Sequence, residues 1–154
     1  MATAVKIKIS DHTALRAEIE KRADSLNQVD LSKWALLCAK HVLLYSELEF
    51  PSNEIVAGGF LTNELWQAGK GTVHEVRQAG FKIHAVARQC KTVLAETALR
   101  TAGHAVAVGH MKEHAMACSD YAIKTIQLAF PGSKDKITEE RQWQLNELKR
   151  FSEK

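Results

Sequence analysis

The run DLSKWALLCAKHVLLYSELEF, residues 30–50, decides the fold class. Trp34, Leu37, Cys38, His41, Leu44, Tyr45 and Leu48 recur at steps of three and four, the spacing of one helix face. Leu36, Val42 and Leu43 widen that stripe, so the helix reads as apolar on most sides and therefore central. Asp30 reads as its N-cap. Pro51 reads as its stop, because a residue before proline is pushed away from helical angles.

The same periodicity extends outward in both directions. Upstream, SDHTALRAEIEKRADSLN (10–27) sets Leu15, Ile19, Arg22 and Leu26 on one face, with Ser10, Asp11 or Thr13 as the cap. Before it, VKIKIS (5–10) alternates apolar and basic residues, which predicts an extended arm or edge strand within residues 1–12. Downstream, a helix is expected over 52–66, with Gly58 and Gly59 marking a close helix–helix contact. AGKG (68–71) is a turn; it lacks the spacing and preceding strand of a phosphate loop. From Thr72, the residues Val73, Val76, Gly80, Ile83, Ala87, Cys90 and Leu94 step by three and four, with an interruption expected near Lys91-Thr92. Helices follow over 93–108, with Gly109 at C′, and over 111–130, ending before Pro131-Gly132. A last helix uses Ile137, Trp143, Leu145 and Leu148 for packing, with Ser133 or Asp135 as its cap. The expectation is an all-α, single-domain antiparallel bundle of six to seven helices over residues 1–154, with a short N-terminal arm.

Composition bounds the function. At 154 residues a chain buries about two thirds of its unfolded surface, enough for a core without staples. The net charge is +3, acidic and basic residues interleave, and no block of like charge marks a nucleic-acid partner. Trp34, Trp66 and Trp143 read as helix-packing anchors, since no basic groove accompanies them for base stacking. No apolar run reaches the roughly 18 residues of a membrane span, and the start lacks a leader pattern. Cys38, Cys90 and Cys118 are odd in number and sit in apolar helical contexts, so reduced thiols and a cytoplasmic location are expected.

RTAGHAVAVGHMKEHA (100–115) concentrates the chemistry. On a continuous helix His110 and His114 would lie about 40° apart, the i, i+4 pairing that can chelate zinc. The glutamate of an H-E-x-x-H site is missing, since Met111 follows His110, and Glu113 is the nearby carboxylate. If Gly109 breaks the helix, His104 could approach from the preceding one and complete a three-ligand cluster. His84 and Arg88 form another i, i+4 pair; with His41 and Arg100 they could line a polar cavity between helices. The expected role of these histidines is structural, bonding helix ends and bridging helices. His104, His110 and His114 are the set that would hold a metal if one were bound, although no metal or other cofactor is expected. Cys118 lies four residues past His114, but no nucleophile elbow is present, so cysteine catalysis is not expected.

The run Arg100-Thr-Ala-Gly103-His104, followed by His110, His114-Ala115 and Tyr121-Ala122, resembles a family of bacterial immunity-five-like proteins of polymorphic toxin systems. WALLCA (34–39), HAVAR (84–88) and ERQWQ (140–144) support the resemblance, which covers residues 30–147. It implies a helical, cytoplasmic, non-enzymatic protein that binds and neutralises a cognate protein toxin. It supplies no catalytic residues, only the motif positions Arg100, Gly103, His104, His110 and His114. The arm and first helix are additions to the family pattern, and EFPSNE (49–54) replaces an acidic link. An inhibitor imitating nucleic acid should be acidic; this chain is mildly basic, with Glu47, Glu49 and Glu54 as its only modest acidic cluster. Nucleic acid and membrane are therefore not expected partners, and a homo-oligomer stays open. The competing reading is a helical small-molecule-binding protein or metal-dependent enzyme built around the histidines.

Overall fold

A computed structural model describes residues 5–49 and 51–152. Among these are seven α-helices and no strand: α1 (Thr13–Asp24), α2 (Gln28–Val42), α3 (Ser52–Gln67), α4 (Val73–Arg88), α5 (Val93–Ala107), α6 (His114–Ala129) and α7 (Lys134–Ser152). A 3-10 turn, Leu43–Ser46, follows α2. Residues 5–12 form the expected arm but pair with no strand among the described residues; the first four residues lie outside the description.

Helix α5 is the most surrounded element, packing on α4, α6, α2 and the 3-10 turn. Small side chains make this possible. Ala98, Ala102 and Ala105 are fully buried, and a Cβ at Gly80 of α4 would sit 3.5 Å from the carbonyl oxygen of Gly103. Helix α2 shares the centre through Trp34, Ala35, Cys38, Ala39 and Val42, all fully buried. The expected stripe on α2 is corrected in part, since Leu37 and Leu44 face outward and Leu44 is 67% exposed. Helix α1 packs on α7, and α3 on α4. In α3, Gly59 is the close contact, where a Cβ would meet Ile83 Cδ1 at 2.7 Å; Gly58 has nothing within 4 Å.

Several boundaries differ from expectation, each for a local reason. Helix α1 is capped by His12, whose Nδ1 accepts from the Leu15 amide at 3.2 Å, while Asp11 is engaged elsewhere. Helix α2 starts earlier because Asn27 accepts from the Asp30 amide at 2.8 Å; Asp30 is in the first turn, where its charge suits the helix dipole. Helix α2 ends at Val42, well before Pro51. The Ser46 hydroxyl donates to Leu43 O at 2.6 Å and Glu47 turns left-handed at φ 50°, which closes the chain into a 3-10 turn. Pro51 instead begins α3, its carbonyl accepting from Glu54 and Ile55. The interruption expected near Lys91-Thr92 is real: Thr92 caps α5 by accepting from the Ala95 amide. Ser133 caps α7 by accepting from the Lys136 amide.

Candidate functional site

Helices α4, α5 and α6 bring four histidines into one row. Gly109 follows the end of α5, but its φ is not positive. A Cβ there would lie 2.8 Å from Val76 Cγ1 and 3.2 Å from the Trp66 ring, so glycine is required for space. The turn it allows separates His110 from His114, which opens α6, and the pair therefore lacks regular i, i+4 geometry. His104 on α5 then meets His114 across the gap, Nδ1 to Nδ1, at 2.9 Å. His84 on α4 stands edge-on to His104 with ring centres 5.2 Å apart, and His110 lies 5.4 Å from His114. Tyr121, two turns further along the same face of α6, stacks on His104 at 4.8 Å.

Two motif residues hold this row in place. Arg100 Nη1 donates to His84 Nδ1 at 3.0 Å. A guanidinium cannot accept, so His84 carries its proton on Nε2. A Cβ on Gly103 would sit 2.6 Å from His84 Cε1, so the absent side chain is the space the imidazole fills. His84, His104 and His114 are biased toward the neutral form. Burial, then the charge of Arg100, lowers His84 to about 4; burial, then His84 and His114, lowers His104 to about 3. Burial and then His110 lower His114 as well. His110 Nδ1 is buried with no hydrogen-bond partner among the described residues.

Of the predicted site residues, His84, Arg100, Gly103, His104, His110 and His114 are brought together. His41 is not. It stacks on Trp143 of α7 at 3.6 Å, and its Nδ1 lies 2.7 Å from Glu140 Oε2. Arg88 is exposed at the end of α4 and acts on His84 through its charge. His104, His110 and His114, the set that would hold a metal if one were bound, gather as rings, yet among the described residues no group of three His, Cys, Asp or Glu side chains is arranged to hold a metal. The cysteines are free, and burial raises the thiols of Cys38 and Cys118, which makes them poor nucleophiles.

Beside the row lies a cavity of about 220 Å³, lined by His104, His114, Tyr121, Lys6, Glu113 and Asp120, among others. Asp120 belongs to a buried network that sequence reading missed. Arg141 of α7 is fully buried with five donated bonds: two to Asp11 at 2.8 Å, one to Asp120 at 2.7 Å, and one each to Ser119 and Gln144. Arg16 donates two more to Asp120 at 2.9 Å. The available signal was position: Arg141 falls between Ile137 and Leu145 on the packing stripe of α7.

The motif residues that hold this row, Arg100, Gly103 and His104 with His84, lie within a match to one family model. It spans residues 21–151 and describes an "Imm-5 like putative immunity protein". The chain belongs to this family. No curated protein and no solved structure matches it. The Imm-5 like match begins after the arm, so Lys6 of the cavity lining and Asp11 lie outside the matched segment. No described helix is long and apolar enough to cross a membrane.

Proposed function

We propose that the protein binds a cognate toxin protein and neutralises it by covering the toxin's functional surface. Membership of the immunity family over residues 21–151 carries this reading. The local chemistry of the motif agrees with it. Gly103 makes room for His84, Arg100 fixes the tautomer of His84, and Tyr121 stacks on His104. These are the roles of residues that join three helices. The motif thus defines the scaffold, and recognition falls to the surface around it. The net charge of +3 argues against imitation of nucleic acid as the mode of inhibition, because a basic nuclease site would repel it. The intended partner is a protein, in a bacterial cytoplasm, and the whole chain acts as one folding unit.

Co-expression with the toxin-like product of a neighbouring gene tests this. Restored growth and a complex that survives purification are the expected results. Absence of protection against every adjacent toxin overturns the proposal.

A further inference from the structure

The cavity beside His104 and His114 has the properties of a ligand site, independently of toxin binding. Its size comes first. An engineered apolar cavity of about 150 Å³ accepts benzene, and sites for drug-sized ligands begin at about 300 Å³. At about 220 Å³ this space suits one substituted ring. Its walls include Ile7, Met111 and Ala117, which favour an apolar ring face.

The polar groups set the rest. The 2.9 Å contact between the two Nδ1 atoms requires one N–H and one lone pair. The ring that donates through Nδ1 is left with a bare Nε2, and the ring that accepts carries Nε2–H. The pair therefore always keeps one donor and one acceptor, and exchanging tautomers swaps both together. Of the charges lining the cavity, Asp120 is held by Arg16 and Arg141, while Lys6 and Glu113 bring one charge of each sign. Burial disfavours the charged form of both histidines, so this pair offers a ligand hydrogen bonds rather than charge.

We propose that this cavity binds an uncharged single-ring heterocycle carrying adjacent donor and acceptor, of the lactam type, recognised by His104 and His114. Lys6 and Ile7 come from the arm, outside the family match, so the lining joins the arm to the matched segment. The arm is fastened over it by Asp11 on Arg141 and by the Ser10 amide donating to Gln127 Oε1 at 2.9 Å.

Titration of the full-length protein with 2-pyridone, followed by NMR of the histidine and tyrosine ring signals, tests the proposal. Saturable shifts at His104, His114 and Tyr121 are expected, with a dissociation constant on the order of 1 mM for so small a probe. Benzene and acetate should bind at least about tenfold more weakly. Ala117→Phe should fill the cavity and remove the response. If that variant does not fold, Ile7→Asp on the arm should weaken 2-pyridone binding at least about fivefold. No shift at these rings overturns the proposal. So does an equal response to benzene (an apolar hole), a preference for acetate (an anion site), or a response to zinc chloride with none to 2-pyridone.

Discussion

Arg141 and Asp11 offer a test of how the arm is held. Arg141 has no exposed surface, and its five donated bonds are all made inside the protein. Replacing Asp11 by alanine removes two of them and leaves two donors of a buried guanidinium without their carboxylate. Loss of one partner from a buried ion pair costs about 3–5 kcal/mol. Two features lower the expected figure. Asp120 still accepts from Arg141, and the side chain of Asp11 is itself 8% exposed, so water can enter where it leaves. About 3 kcal/mol is expected for Asp11→Ala, which for a chain of this size lowers the melting temperature by roughly 6–12 °C. Arg141→Met should cost less than Asp11→Ala, despite losing more bonds. Asp120 keeps Arg16, Ser119 keeps Gln144, and Asp11 can swing into solvent with the arm. The double variant should be no worse than Asp11→Ala alone, a coupling at least as large as the whole cost of Arg141→Met. Urea titration of the four proteins measures each value. A loss below about 1 kcal/mol for Asp11→Ala, or additive losses in the double variant, would refute the reasoning.

The remaining predictions concern the histidine row, two glycines and the thiols. His84 and His104 are depressed to about 4 and about 3 in the folded protein, so their contribution is complete above the ordinary histidine value. As pH falls below about 6.5 the unfolded chain takes up protons that the folded rings refuse, and stability drops. Between pH 6.5 and 5 the loss should reach no more than about 2 kcal/mol per ring, and urea midpoints that stay flat over that range would exclude it. Gly58→Ala should raise stability by about 0.5–1 kcal/mol, since nothing lies within 4 Å of the new methyl and helix propensity improves. Gly103→Ala should lower it by about 1–3 kcal/mol by displacing the His84 ring; a melting scan giving the same sign for both would contradict the packing. Cys38, Cys90 and Cys118 should titrate as three thiols in unfolded, unreduced protein.

The fold was legible where apolar spacing and punctuation agree. Thr92 and Ser133 cap where a hydroxyl residue meets the start of a periodic run, and α3 keeps its expected start at Ser52. It was illegible where two local devices compete. In the 43–50 segment the apolar pattern continues past Val42, but the Ser46 hydroxyl closes a turn that periodicity does not register. At the first helix, Asp11 had the residue type of a cap, yet a distant arginine claims it across 130 positions of chain. No local rule can weigh a tertiary ion pair against a cap.

The site divides along the same line. The turn at Gly109 and the approach of His104 to His114 could be read in advance, because both follow from breaking one helix into two. His41 stands apart from the row for a geometric reason. It shares the apolar face of α2, but that face meets α7 at its position, where Trp143 and Glu140 await it, and meets α5 elsewhere. The cavity needed more than the motif. Its histidines lie in the segment that defines the family, whereas Lys6 and Ile7 arrive from the arm and Asp120 is steadied by Arg16 and Arg141. A motif therefore identified the scaffold while the residues that shape its opening came from parts of the chain the motif does not cover. What the cavity accepts should accordingly depend on the arm, and exchanging residues 5–12 should alter it while leaving the histidine row in place.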